Sequence, residues 1–149
     1  MKNASDTVDL SRFTSAQESI YDSVLAELRS GRKRTHWMWY IFPQFDGLAH
    51  STTSKYYAIK SLEEVRQYLK HPVLGKRLLE CAEAVFTIEG RSISEIFGYP
   101  DNLKLKSSMT LFACVAAPPC SVFARILDKY FNGEQDALTL QLLENLKAK

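Results

Sequence analysis

Apolar residues recur at helical spacing along most of the chain, and capping residues mark where the helices begin. The first segment opens at Ser15 and Glu18, which have the spacing of a capping box, and Gly31 ends it. Apolar positions every three or four residues indicate one buried face, so this segment is predicted to be a helix. The positions on that face are Ile20, Tyr21, Val24, Leu25 and Leu28.

The same pattern predicts further helices along the rest of the chain. Ser61 and Glu64 repeat the capping spacing, and that helix ends before Pro72, because a residue preceding proline avoids the helical region. Pro72 then suits the first turn of another helix, which fades before Gly90. A helical turn, Ser92 to Phe97, and helices opening at Asp101, Ser121 and Asp136 complete the list.

The stretch from Trp37 to Phe42 fits two structures. Its aromatic content is typical of a strand, whereas Trp37 and Ile41 are spaced as neighbours on a helix. Alternating strand patterns are otherwise nearly absent. The sequence therefore predicts an all-α fold, a single compact domain of about seven helices with short connections. Residues 1–10 are expected to form a loose N-terminal arm, and residues 11–149 the helical domain.

Composition and charge narrow the class of protein. The chain has 149 residues, a formal net charge of +2 and a sequence pI of 8.4, whereas a dedicated nucleic-acid-binding domain usually lies above a pI of about 9. Nucleic acid is therefore an allowed but less favoured partner. The N-terminus lacks a secretory apolar region, and no apolar run approaches the roughly 20 residues of a membrane span. We expect a soluble, cytoplasmic protein without membrane contact.

Cysteine and histidine usage gives no sign of a cofactor. Cys81, Cys114 and Cys120 form no CxxC pair, so reduced thiols are the simplest interpretation. The three histidines show no metal-ligand spacing and have no cysteine neighbour. We expect no metal and no cofactor. The sequence carries no signal for the oligomeric state.

Three stretches of the chain resemble one known family. They are HWMWYIFPQFDGLAHSTTSKYYAI, YLKHPVLGKRLLEC and IFGYPDNLKLKSSMTLF, and they occur in the order found in the bacterial family filed as domain of unknown function 1810. The resemblance covers nearly the whole chain after the arm and implies a single, mostly helical domain. The family has no established activity, so no catalytic residue follows from it. Its occasional label, calpastatin, fits badly, because calpastatins are disordered inhibitors and this chain is periodic and rich in core residues.

A basic run, residues 29–34, leads into the aromatic block, residues 37–42. Cations interleaved with aromatic rings often grip nucleotides and single-stranded nucleic acids. On this hypothesis a phosphate is held by the cations of the run, which are Arg29, Arg32, Lys33 and Arg34. His36, Trp37 and Trp39 then stack on a base or move a proton. The alternative is that the indoles are core and the cations complement the end of a helix. If the block is helical, the two indoles point about 200° apart, so we do not expect both to be buried alike.

Polar residues crowd the following segment, which has no clear apolar face. Polar side chains in a loop beside a hydrophobic block are a common composition for a ligand site. We expect Gln44, Ser51, Ser54 and Tyr57 to contact a ligand. The alternative is an ordinary loop whose serines cap the next short helix.

The helix opening at Asp101 supplies a third candidate. Lys104 and Ser108 are four residues apart and share a face near the helix N-terminus, which favours anions. A serine beside a base can also act as a nucleophile, so Lys104 with Ser107 or Ser108 is a candidate nucleophile–base pair. The alternative is that these residues cap the helix and face solvent.

Two functions follow from these candidates. The first is a binding module for a small phosphate-bearing ligand such as a nucleotide or an ADP-ribose-like molecule. The second is a small enzyme acting on such a ligand, with His36, Asp46 or His50 as the acid or base. A protein-interaction domain without a ligand is a further alternative.

Overall fold

The computed structural model of the chain describes residues 9–116 and 121–147. The described residues are 66% helical, and no strand occurs in those two ranges. The helices are α1 (Ser11–Gln17), α2 (Tyr21–Arg29), α3 (Met38–Ile41), α4 (Thr52–Tyr57), α5 (Leu62–Lys70), α6 (Leu74–Thr87), α7 (Ile93–Phe97), α8 (Asp101–Val115), α9 (Val122–Phe131) and α10 (Ala137–Lys147). The all-α prediction is confirmed. The described residues hold ten helices rather than about seven, because several are a single turn.

The predicted first helix is divided in two. Its proposed N-terminal cap, Ser15, lies inside α1, and the chain turns between Gln17 and Tyr21 before α2 begins. The turn lets α1 pack against α3 while α2 packs against α6. The prediction of one helix is therefore wrong: the apolar stripe that begins at Ile20 belongs to α2, and α1 buries Phe13 and Gln17 instead. Residues 1–8 of the predicted arm lie outside the described residues, and Leu10 packs into the core.

Most of the other predicted helix starts are confirmed. The hydroxyls of Ser61, Ser92 and Ser121 each accept the backbone N–H three residues later, and the Asp136 carboxylate accepts that of Thr139. Asp101 does not cap α8: Pro100 occupies the N-cap position, and Asp101 forms ion pairs described below. Helix α6 begins at Leu74, so Pro72 lies before the helix and not, as was predicted, in its first turn.

Helix α8 lies at the centre of the core. It packs against α5, α7, α9 and α10, so it is buried around most of its circumference. Phe112 on this helix packs against Tyr68 and Phe123, with ring centroids 5.5 and 5.6 Å apart, respectively. The N-terminal turns of α8 are therefore held in place beside α7 and beside the loop that follows α3. None of the helices described is long and apolar enough to cross a membrane.

The aromatic block is helical rather than extended. Trp37 precedes α3, and the four residues Trp37, Met38, Ile41 and Phe42 are all buried. Their spacing places them on one face of the short helix, as the helical alternative predicted. Trp39 and Tyr40 lie between them in sequence and are only partly buried.

Candidate functional site

Trp37 is a core residue whose indole is fixed by a carboxylate. Its side chain is 2% exposed, and its Nε1–H donates to Glu27 at 3.0 Å. The same carboxylate accepts the N–H of Arg34 at 2.7 Å and the N–H and hydroxyl of Thr35 at 3.1 and 2.6 Å. Burial alone would raise the pKa of Glu27, but these donors outweigh it and lower the pKa to about 2. Trp37 is therefore core and offers no face for stacking.

Lys33, in the middle of the basic run, is turned into the protein. Its side chain is 5% exposed, and its ammonium lies 2.8 Å from the Asp101 carboxylate. The Lys104 ammonium lies 3.8 Å from the other oxygen of Asp101. One carboxylate therefore serves two cations, and the longer contact leaves Lys104 with part of its charge uncompensated. The basic run is divided between the interior and the surface.

Trp39 is the partly exposed indole of the pair, as expected if the two are not buried alike. The Lys104 ammonium lies over its ring, 5.4 Å from the centroid. Trp39 lines a small cavity of about 10 Å³, close to the volume one water molecule requires, together with Gln44, Ser54 and Tyr57. Within the described residues, no side-chain hydrogen bond uses the Trp39 N–H, the Gln44 amide or the Tyr57 hydroxyl.

The loop that carries Gln44 is folded back onto the end of α4. The Ile59 N–H donates to the Gln44 carbonyl at 3.0 Å, and the Asp46 N–H donates to the Ile59 carbonyl at 2.8 Å. Arg12 supports the same end by donating to the Ala58 carbonyl at 3.0 Å. These backbone contacts fix the polar side chains around Trp39 more firmly than an open loop would.

Gln44 also lines a second cavity of about 270 Å³. Lys104 connects the two cavities, because it lines the second one while its ammonium lies over the indole that lines the first. The second cavity is also lined by Leu48, Leu103, Lys106, Ser107, Asp136 and Leu138. We call the surface formed by Trp39, Gln44, Ser54, Tyr57 and Lys104 the Trp39 cleft. Five of the residues predicted for a ligand site thus lie together.

The remaining predicted side chains of the basic and aromatic block do not join this cleft. Arg32 and Arg34 are exposed and line neither of its cavities. His36 lines a separate cavity of about 340 Å³ together with Glu27 and other residues of α2 and α3. The block therefore presents three different environments: a core indole, a cleft indole and an exposed basic surface.

The two predicted serines outside the cleft have structural positions. Ser51 is the N-cap of α4, and its hydroxyl accepts the Ser54 N–H at 3.1 Å. Ser108 is fully buried, and its hydroxyl has no hydrogen-bond partner. The proposed nucleophile–base pair is not formed with either serine, because the Ser107 hydroxyl donates to the Leu103 carbonyl at 3.2 Å and the Lys104 ammonium lies beside Asp101 and Trp39.

The candidate catalytic residues do not share an enclosed site. His36, Asp46 and His50 are all exposed, and the Asp46 carboxylate lies 3.7 Å from the Lys60 ammonium. A general acid or base normally acts in a pocket that excludes water, and these three side chains are open to solvent. The geometry therefore gives no support to the enzyme hypothesis.

Sequence reasoning missed the residues that organise this region. Glu27 fixes Trp37 and the start of the aromatic block, and Asp101 positions both Lys33 and Lys104. No spacing rule connects residue 27 with residues 34–37, because their contacts cross the turn at Gly31. The sequence predicted Asp101 as a capping residue, whereas in the structure its carboxylate pairs with Lys33 and Lys104.

The residues present give no sign of a metal site. In the part of the chain that the structure describes, no group of three or more His, Cys, Asp or Glu side chains is placed to hold a metal ion. Cys81 is buried, as its position on an apolar helical face predicted, and burial raises the pKa of its thiol to about 12. Cys114 is exposed, and Cys120 lies outside the described residues.

Comparisons with known proteins place the chain in a family. A comparison with proteins of curated function finds no match. The chain is similar to the crystal structure of the conserved hypothetical protein Rv1873 from Mycobacterium tuberculosis, with 52% sequence identity and a TM-score of 0.89 over 92% of this chain and 97% of that one. The profile of the family described as "Protein of unknown function (DUF1810)" matches residues 7–143. The chain belongs to the DUF1810 family.

Proposed function

We propose that the chain is a binding module for a small anionic ligand with a planar ring, of the nucleotide class, held in the Trp39 cleft. The observation that carries this proposal is the placement of the Lys104 ammonium 5.4 Å from the centroid of the partly exposed Trp39 ring. The pair lies where two cavities share Gln44. An indole and the cation lying over it supply the two kinds of interaction that a nucleotide requires, stacking and charge.

Each side chain of the cleft matches part of such a ligand. Stacking on an aromatic side chain contributes about 1–3 kcal/mol per base. The Gln44 amide offers two donors and one acceptor to the edge of a ring, and the hydroxyls of Ser54 and Tyr57 can donate or accept. Lys104 would hold the phosphate as a point charge. Lys106 adds a second cation, paired with Glu134 at 3.0 Å.

The size of the cleft favours the smaller members of the class. The cavity that Trp39, Ser54 and Tyr57 line has room for about one water molecule, so the ligand would occupy the larger cavity. That cavity measures about 270 Å³, just below the roughly 300–1,000 Å³ typical of ligand pockets. A mononucleotide therefore suits the site better than a molecule as long as ADP-ribose. The exposed Arg32 and Arg34 are not required for this ligand.

Calorimetric titration with AMP, ADP-ribose, adenosine and ribose 5-phosphate tests the proposal. We expect AMP to bind best, and Trp39→Ala or Lys104→Met to weaken AMP binding at least about tenfold, which corresponds to about 1.4 kcal/mol. Lys104→Arg should retain most of the affinity because the charge is kept. Tyr99→Ala is the matched control, since Tyr99 is an aromatic residue that is 80% exposed and lines no cavity of the cleft.

Circular dichroism of each variant separates lost binding from lost folding. The proposal fails if none of the four compounds binds the wild type. It also fails if Tyr99→Ala reduces AMP affinity as much as Trp39→Ala does. The first result would favour a protein-interaction domain, and the second would place AMP binding outside the Trp39 cleft.

A further inference from the structure

Four exposed arginines surround the C-terminal end of α2. Arg29 ends the helix, Arg32 and Arg34 follow it, and Arg91 comes from the segment before α7. We call these four residues the arginine patch. None of them lines either cavity of the Trp39 cleft, so the patch is a separate surface feature.

The fold brings Arg91 to the patch through a close contact with Gly31. Gly31 is buried with a φ of +83°, and a Cβ at this position would lie 3.3 Å from the Arg91 Nε. The absence of a side chain therefore lets the guanidinium stem lie against the backbone. The Lys33 N–H donates to the Ile96 carbonyl at 2.7 Å and holds the same loop to α7. Two distant segments of the chain thus present cations at one place.

The patch is left without internal partners. Within the described residues, none of its guanidiniums forms a hydrogen bond or an ion pair, whereas Arg12 and Lys33 each bind a carboxylate at 2.8 Å. Two carboxylates lie close by. Glu27 already accepts four donors, and Glu95 accepts the Ser92 N–H at 2.7 Å while the charge of Arg91 further lowers its pKa. These two carboxylates offset part of the charge of the four arginines, so the patch keeps a net positive charge.

The composition of the patch indicates the chemistry of its partner. Guanidinium groups match the geometry of phosphate and carboxylate oxygens. Protein interfaces normally add a buried apolar or aromatic anchor. Among the described residues, none of the exposed large hydrophobic side chains belongs to α2, to the loop that follows it or to the segment that carries Arg91; they are Tyr56, Val73, Leu79, Tyr99, Leu103, Leu138 and Leu146. A partner bound by charge alone is therefore favoured over a folded protein.

We propose that the arginine patch binds the phosphodiester backbone of nucleic acid without reading its sequence. Contacts to phosphates position a protein on nucleic acid and release bound counterions, which makes the affinity depend on salt. The nearly neutral chain as a whole does not favour such binding, and the local concentration of arginines does. This surface would act independently of the Trp39 cleft.

Fluorescence anisotropy with a labelled DNA duplex of mixed sequence tests this inference across about 50–200 mM salt. Four phosphate contacts predict a slope of log K against log salt of about −3.6. The triple variant Arg32→Ala, Arg34→Ala, Arg91→Ala should lower the affinity at least about tenfold at the lowest salt and bring the slope to about −0.9. The triple lysine replacement at these positions should keep the wild-type slope, because the charges are retained.

A second triple variant controls for net charge. Lys55→Ala, Lys70→Ala and Lys76→Ala remove the same charge from exposed lysines outside the patch and should leave the slope unchanged. Equal losses in the two alanine triples would overturn the assignment to the patch. An absence of duplex binding by the wild type at the lowest salt would also overturn it, as would equal binding to polyglutamate or binding only to vesicles containing phosphatidylserine.

Discussion

Replacing Gly75 by alanine is expected to destabilise the domain by about 3 kcal/mol, near the upper end of the usual cost of overpacking. Gly75 is buried in the first turn of α6, where that helix packs on the end of α5. A Cβ at this position would lie 2.1 Å from the Leu69 carbonyl oxygen. That oxygen belongs to the backbone of α5, so the clash can be relieved only by moving one helix away from the other.

The sign of the effect distinguishes this contact from helix propensity. Glycine to alanine within a helix normally stabilises by about 1 kcal/mol, so propensity alone predicts a higher melting temperature. The clash predicts a fall of roughly 6–12 °C for a chain of this size. Thermal unfolding followed by circular dichroism measures the difference. Lys76→Ala is the control, because its side chain is exposed in the same turn; a stabilised Gly75→Ala would show that α5 and α6 do not approach as described.

Replacing Glu27 by alanine is expected to destabilise the domain by about 2–3 kcal/mol, since a buried donor left without its partner costs about 1–3 kcal/mol. The variant removes the acceptor for the Trp37 indole and for the donors of Arg34 and Thr35. Glu27→Gln keeps an acceptor oxygen and should lose less. Urea unfolding of the three proteins gives the order wild type, glutamine, alanine. Equal stabilities would contradict this role of Glu27.

The contribution of Glu27 to the free energy of unfolding should also depend on pH. Its hydrogen bonds lower the pKa of the folded state from 4.5 to about 2, so the charged form is favoured by folding. The resulting stability is fully present above about pH 4.5 and is lost as the pH falls towards 2. The difference between wild type and Glu27→Gln should therefore be constant near neutral pH and shrink below about pH 4.5.

Local signals were sufficient for much of the fold. The capping serines at Ser61, Ser92 and Ser121 act within one helical turn, so their effect is visible in sequence. The division between α1 and α2 was missed, because residues on both sides of the turn are compatible with one helix and only contacts with α3 and α6 separate them. The sequence left the conformation of the four-residue helix α3 open between helix and strand for a similar reason. The burial of Trp37 and Phe42, which flank it, depends on contacts with the rest of the fold.

The candidate site was predicted in part. Trp39, Gln44 and Lys104 are separated by up to 65 residues in sequence, and the packing of α8 beside α3 brings them together. The arginines were assigned to the same site because they adjoin the tryptophans along the chain. Adjacency in sequence was misleading there, because the Trp37 indole is bound to Glu27 in the core and Lys33 is turned towards Asp101.

The two indole N–H signals in a nitrogen-15 correlation spectrum test the central claim most directly, because the chain has only two tryptophans. Titration with AMP should shift the Trp39 signal progressively, and the signal should be absent in Trp39→Phe. The Trp37 signal should stay in place, since its N–H is buried and bound to Glu27. A titration that leaves the Trp39 signal unchanged, or moves only the Trp37 signal, would contradict binding in the Trp39 cleft.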